Sequence, residues 1–439
     1  MNTCFSEGHI NELAKRTGFM KRSRKLSPLS FTNALMFSIG NQANTSLTDL
    51  TADIYQHFDF DISKEALHKR FNDQAVQFFK ELIKTQLSHQ FASSYPEGID
   101  TQFPFVKIKD STRFSLPHFY GGSYPGFGNF SKKNGLMTLQ YEYDLASGMW
   151  ENIEMGNITK NDQQVSKETI GSLQEGGLYI RDLGYISPTY LHAVTEKGAY
   201  FLNRLPPQAN IYTSEDEEVD WKSIHRKFNK TGVKSMEMNV LIYRGHKIPC
   251  RLIIERLTDQ QYKNRLERAK NVAKSRNIGI SDDHKRRCRY NAFITNIKQE
   301  TLPIEKIRKT YGLRWQVELV FKTWKSFFEI NKLKRIKKER LECQLLAKLL
   351  WILLNWQLFM ALNNAVRKQN SAKGVSILKF FKRCRSFSYS LREVVLTRIQ
   401  ITLWLRNVFI PQTCNTLCES PVNKHTHYQT LNDFIFKLS

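Results

Sequence analysis

Apolar residues recur at helical spacing through roughly the first 95 positions, and near position 100 the pattern changes to that of strands. Leu67, Phe71, Ala75, Phe78 and Leu82 follow at intervals of three and four, the spacing of one buried helix face. Ser63 suits an N-cap, and Ile62 and Leu67 sit where a hydrophobic staple would place them. The outer face then carries His68, Lys69 and Arg70. That face is either a solvated helix surface or a basic face able to enter a nucleic-acid groove. The cluster Lys21-Arg22-Ser23-Arg24-Lys25 tilts the balance to the second reading.

From Phe103 the run to Lys109 reads as a strand ending at Asp110. Gly135–Asp144 and Met149–Met155 read as a hairpin joined through Ala146-Ser147-Gly148. A polar helical stretch, Lys160–Gln174, leads to a strand at Leu178–Arg181 that ends at Asp182. A helix near Tyr190 and a strand at Ala199–Leu202 follow. Three strands, helix, strand, helix, strand predicts a mixed α/β sheet, which places carboxylates at strand ends where sheet crevices bind ligands.

Residues 206–300 interrupt the alternation. Val240–Tyr243 and Cys250–Ile254, joined through Arg244-Gly245-His246, read as a β-hairpin; Lys263–Arg276 reads as helix or linker and Arg289–Asn296 as a further strand. This is a β-rich insertion. The predicted divisions are a helical N-terminal DNA-binding region (1–95), a first part of the α/β core (96–205), the insertion (206–300), a last part of the core (301–375), and a helical or irregular C-terminal region (376–439).

Composition narrows the partners. Lys plus Arg number 66 against 41 Asp plus Glu, a formal charge of +25 spread along the chain. Such a field attracts polyanions, chiefly nucleic acid or anionic membrane, with nucleic acid favoured. The first residues show no apolar core of a secretory signal, and Leu345–Leu362, interrupted by Lys348, Asn355 and Gln357, reads as a buried core helix rather than a membrane span. Seven scattered cysteines fit reduced thiols in a cytoplasmic protein. Cys414 and Cys418 followed by His425 and His427 suggest zinc only weakly, because the two histidines are too close together for the usual ligand spacing. The run Gly121–Gly128 lacks the G-K-[ST] ending of a P-loop, so it reads as a mobile loop and no nucleotide is implied.

The most informative segment is Tyr311–Lys325. At about 100° per residue, Tyr311, Arg314, Glu318 and Lys325 fall within roughly 60° of one another on a helix. Leu313, Val317, Val320, Phe321, Trp324 and Phe328 fill a core-facing arc from about −80° round to 180°, measured from Tyr311, with the polar quartet at its border. Ordinary amphipathicity with i,i+4 charge pairs accounts for the helix taken alone. Together with Asp110 and Asp182 at two strand ends, Glu318 makes a third carboxylate in a layout suited to divalent cations.

Lys109-Asp110-Ser111-Thr112, Arg181-Asp182-Leu183-Gly184-Tyr185 and Tyr311-x2-Arg314-x3-Glu318-x6-Lys325 resemble the DDE transposases of bacterial insertion sequences. The subgroup is the one with a Y-R-E-K signature and a β-rich insertion before the glutamate. The resemblance covers roughly residues 100–340, and Leu183 departs from the Arg often found after the second Asp. It implies an RNase H-like mixed-sheet core with Asp110, Asp182 and Glu318 as catalytic and metal-binding triad. Two Mg²⁺ or Mn²⁺ ions would activate the attacking oxygen and stabilise the leaving one. Tyr311, Arg314 and Lys325 are then expected on DNA phosphates, and Trp315 either stacked on an unpaired base or packed on a neighbouring helix. Basic residues Lys332, Lys334, Arg335, Lys337, Lys338 and Arg340 would extend backbone contact, and Lys285, Arg286, Arg287 and Arg289 would add to it from the insertion. The implied partners are double-stranded DNA, both element ends and target, and a second copy of the chain on DNA, in the cytoplasm at the nucleoid, with no membrane. A catalytically silent DNA-binding relic and an RNase H-like nuclease are the competing readings.

Overall fold

The computed structural model describes residues 5–20, 25–41, 45–89, 103–126, 135–145, 147–157, 162–206, 209–243, 245–275, 277–332, 334–369, 374–413 and 416–417. The cysteines and histidines of the zinc expectation, and Lys21–Arg24, lie outside them. The chain opens with five helices, α1 (Glu7–Arg16), α2 (Pro28–Asn41), α3 (Leu47–Phe58), α4 (Lys64–His68) and α5 (Asp73–Ser88). Ser63 caps α4 as expected, its hydroxyl accepting from Ala66 N. The single helix expected from Ser63 to Leu82 is instead two. Asn72 turns extended and its side chain accepts from Ala75 N, so a second N-cap starts α5.

Strands β1 (Val106–Leu116), β2 (Gly135–Asp144) and β3 (Trp150–Asn157) follow. The β2–β3 hairpin is antiparallel, and its turn is closed by Ser147 N donating to the Asp144 carboxylate at 3.0 Å and by Gly148 at φ 70°. Next come α6 (Asp162–Glu168), β4 (Leu178–Arg181), α7 (Pro188–Glu196) and β5 (Tyr200–Arg204). The insertion holds β6 (Ile211–Tyr212), α8 (Trp221–Thr231), the antiparallel pair β7 (Ser235–Ile242) and β8 (Ile248–Arg256), α9 (Asp259–Ser275), α10 (Asp282–Arg287) and β9 (Tyr290–Thr295). It therefore carries the strands read from its sequence, and three helices as well. The last part is α11 (Ile304–Gly312), α12 (Trp315–Ser326), α13 (Lys338–Gln369), α14 (Ile377–Arg383), α15 (Ser388–Val395) and short helical turns over residues 401–413.

Backbone hydrogen bonds order the strands β3-β2-β1-β4-β5-β9-β8-β7-β6. The first five, with β2–β3 antiparallel and β4 parallel to both β1 and β5, form the RNase H-like arrangement. The insertion's strands continue the sheet beyond β5 through the antiparallel β5–β9 and β8–β9 pairs.

The residues fall into two compact units, one of 1–97, 111–159 and 315–429, the other of 98–110, 160–314 and 430–439. The first is built around α13. Its apolar stretch is 89% buried, so the segment read as a core helix is one. Phe37 of α2 meets Trp351 edge-on at 5.0 Å, and Trp356 Nε1 donates to Gly148 O at 2.8 Å. Trp150, Tyr141 and Trp324 interlock within 5.0–5.4 Å of one another. Tyr124, from the glycine run read as a mobile loop, is buried here and bonded to the Glu342 carboxylate. The second unit packs Tyr190, Leu191 and Val194 of α7 and Phe228 of α8 onto Ile242, Ile248, Leu252, Ile254 and Ile294. Gly177 admits no side chain, because a Cβ there would lie 1.8 Å from the Phe105 ring.

Candidate active site

Val106–Lys109 are buried without interruption, as a strand covered on both faces must be. They pair in parallel with Leu178–Arg181, also fully buried, with Lys109 opposite Arg181. The next residues on the two strands are Asp110 and Asp182. The pairing thus brings two carboxylates together where it stops, at the carboxyl ends of adjacent parallel strands. Asp110 was expected to end its strand, but β1 runs on to Leu116. What ends after Lys109 is the parallel pairing with β4, and that is enough to open a crevice.

Arg314 joins the two. Its Nη1 donates to Asp110 Oδ2 at 2.8 Å and its Nε lies 3.8 Å from Asp182 Oδ1. Asp110 and Arg314 side chains are 14% and 11% exposed, so this attraction is only partly screened by water, whereas Asp182 is 46% exposed. Tyr311, one turn before Arg314, is buried against the Phe293 ring at 5.4 Å. Burial pushes its phenol up to about 12; the Arg314 and Arg204 guanidiniums pull it back and Asp182 adds to the rise. The hydroxyl therefore keeps its proton at neutral pH and can donate it in a hydrogen bond.

The single helix expected from Tyr311 to Lys325 is broken. α11 ends at Gly312, Leu313 caps it, and α12 starts at Trp315. Tyr311 and Arg314 belong to the unit that holds the aspartates, and Glu318 and Lys325 to the other. The core face reads as expected nonetheless: Leu313, Val317, Val320, Phe321, Trp324 and Phe328 are all buried. On α12, Glu318 and Lys325 are both half-buried, and Lys325 Nζ lies 3.5 Å from Arg113 O on β1. Trp315 is 53% exposed.

Carboxylate oxygens that converge on one cation are the donor type that Mg²⁺ or Mn²⁺ prefers, so Asp110 and Asp182 fit such an ion. Among the described residues no three His, Cys, Asp or Glu side chains stand close enough to hold a metal. The structure brings together Asp110, Asp182, Arg314 and Tyr311.

Two residues were not singled out from the sequence. Arg181, just before Asp182, is 1% exposed. Its Nη1 donates to Ser166 Oγ at 2.7 Å and Thr169 Oγ1 at 3.1 Å, its guanidinium lies 4.2 Å over the Tyr190 ring, and its carbonyl accepts from Asn203 Nδ2 at 2.8 Å. This bracing fixes the end of β4. Arg204, at the end of β5, is exposed, and its side chain makes no hydrogen bond or ion pair among the described residues. Its charge acts on the Tyr311 phenol. An arginine closing an apolar strand is a faint signal for such a role.

The basic run after α12 is partly structural. Arg340 is buried and donates to Thr45 O at 2.9 Å, and Lys337 donates to Phe71 O at 2.7 Å. Both tie the N-terminal helices to α13 and its approach, a use that nearby basic residues in a sequence do not reveal.

Residues 103–354 match the family model described as Transposase DDE domain. The transposase for insertion sequence element IS231E of Bacillus thuringiensis subsp. finitimus is 33% identical over 362 residues, covering 79% of this chain and 76% of that protein. The IS231B transposase of B. thuringiensis subsp. berliner is 32% identical over 78% and 75%. The IS1151 transposase of Clostridium perfringens is 27% identical over 86% and 83%.

Proposed function

This chain belongs to the DDE transposases of bacterial insertion sequences, and from that premise we propose that Asp110, Asp182 and Glu318 are its catalytic carboxylates. A DNA transposase of this family is a metal-dependent enzyme of DNA cleavage and strand transfer. The proposal adds the residues, the order of events and the partners: double-stranded DNA at the element ends and target, handled by two copies of the chain at the nucleoid.

The observation that carries the reading is the convergence of Asp110 and Asp182 on Arg314 at adjacent strand ends. Glu318 follows Arg314 by four residues and supplies the third carboxylate. Two Mg²⁺ or Mn²⁺ ions held by these groups would supply charge stabilisation for the attacking and leaving oxygens of an in-line displacement. Arg314 neutralises the aspartates in the DNA-free protein and turns to a phosphate oxygen of the bound strand, where its planar fork is suited to two oxygens. Tyr311 donates a hydrogen bond from its phenol to a second phosphate oxygen, and Lys325 and Arg204 neutralise the flanking backbone. Trp315 offers an exposed ring for an unpaired base. Water and then the freed 3′-OH are the two successive nucleophiles, so one site serves cleavage and joining.

The test is cutting of end-labelled duplex carrying the terminal repeats that flank the gene, with Mg²⁺ or Mn²⁺. Asp110→Ala, Asp182→Ala and Glu318→Ala are each expected to bind as wild type and to lose at least about a thousandfold in cutting rate. Undiminished cutting by Glu318→Ala would remove that residue from the triad and leave the aspartates standing.

A further inference from the structure

A second cationic locus lies in the insertion. Arg256 ends β8 directly opposite Tyr290 on β9, so their side chains share a face of the sheet. On that face the Tyr290 hydroxyl meets His225 Nδ1 of α8 at 2.6 Å, and His225 Nε2 lies 3.1 Å from Asn229 Nδ2. Helix α10 packs against α8, and the charge of Arg286 on α10 acts on the same imidazole. Arg289, next to Tyr290, completes the set.

The neighbours divide the work. Arg287 lies over the Trp221 ring at 4.9 Å and donates to Pro206 O at 3.4 Å, so it is packed into the unit. Arg289 lies 4.1 Å over the Tyr262 ring and pairs with Asp259 at 3.3 Å. Lys285 takes Asp282 at 2.8 Å. Asp282 also feels Arg286 at longer range, and Asp283 feels Arg287. Arg256 and Arg286 are left with no ion pair and no side-chain hydrogen bond among the described residues, Arg256 exposed and Arg286 half-buried. Burial first, and then Arg289, Arg256 and Arg286, hold the His225 imidazole below its ordinary pKa. Like charges gathered around a depressed histidine cost stability unless a ligand of opposite sign offsets them.

We propose that Arg256 and Arg286, with His225 between them, form a phosphodiester-binding site of the insertion that grips the DNA backbone away from the cutting centre. It rests on the transposase reading for the identity of the polyanion. A phosphate there faces two unpaired guanidinium forks and an imidazole that gains a proton as the anion arrives. Binding is therefore coupled to proton uptake at His225, with Tyr290 and Asn229 as its other polar neighbours. The contact is to backbone and carries no sequence information.

The experiment uses the full chain and two duplexes, one with the flanking terminal repeat and one of scrambled sequence, over a range of salt. Replacing both arginines (Arg256→Ala with Arg286→Ala) is expected to lower the slope of log affinity against log salt by about 1, since the two share one phosphate and each phosphate contact contributes about 0.9. The loss is expected on both duplexes. Arg256→Lys with Arg286→Lys is expected to keep the slope. In wild type, the His225 imidazole followed by ¹⁵N NMR is expected to titrate at higher pH with DNA than without. An unchanged slope in a folded double-alanine protein, with His225 indifferent to DNA, would overturn the site and leave the catalytic reading intact. Wild type that binds neither duplex would count against both.

Discussion

Arg314 reads from the sequence as a phosphate ligand, yet its partners here are two carboxylates. Both are consequences of one requirement. Parallel pairing of β1 and β4 sets Asp110 and Asp182 side by side, and two carboxylates so close need a cation between them. Lys348 poses the opposite problem, a cation in an apolar interior. Burial lowers its ammonium from 10.5 to about 8, with Glu329 resisting and Arg385 assisting the fall, and its Nζ lies 3.4 Å from Glu329 O. From pH 8 to 10.5 the unfolded chain holds this proton and the folded chain does not, so stability rises with pH there. Below about 8 the cost of the buried charge is present in full, about 3 kcal/mol at most. Lys348→Met is therefore expected to be more stable than wild type at pH 7, by about 1–2 kcal/mol once the lost hydrogen bond is counted. Urea unfolding at pH 7 and pH 10 checks it: the advantage must shrink at the higher pH.

Two helices read as continuous are each divided, and the reasons differ. Between α4 and α5 the signal was present, because Asn72-Asp73 is a good N-cap pair, and helical spacing of Phe71 and Ala75 across the turn masked it. Asn72→Ala removes the acceptor for Ala75 N and is expected to cost about 1 kcal/mol in thermal or urea unfolding, while Asn72→Ser keeps most of it. Between α11 and α12 no breaker residue stands at Leu313-Arg314. Leu313 is fully buried and Arg314 is drawn to Asp110 and Asp182, contacts that helix propensity does not contain. The angular reasoning that put Tyr311, Arg314, Glu318 and Lys325 on one face assumed an unbroken helix. The core face of α12 survived because Val317, Val320, Phe321 and Trp324 all lie beyond the break.

At the scale of the molecule, a charge of +25 predicts affinity for DNA that falls steeply with salt, whatever the sequence bound. On the proposed reading, two element ends are paired by two chains. Sedimentation of the protein with excess terminal-repeat duplex is expected to give a complex of two chains and two duplexes, and a persistent complex of one chain with one duplex would contradict it. The sequence by itself determined the strands of the core, the place of Asp182 just after its strand, the buried face of α12 and the burial of α13. It could do so because alternation, helical spacing and strand-end position are local patterns, set by burial of one face at a time. Only the tertiary structure decided that Arg314 sits between Asp110 and Asp182, that Arg181 and Arg340 are interior braces, and that Arg256 and Arg286 have no ion pair among the described residues. A charged side chain's partner is chosen by residues distant along the chain, so neither its spacing nor its neighbours in sequence can reveal it.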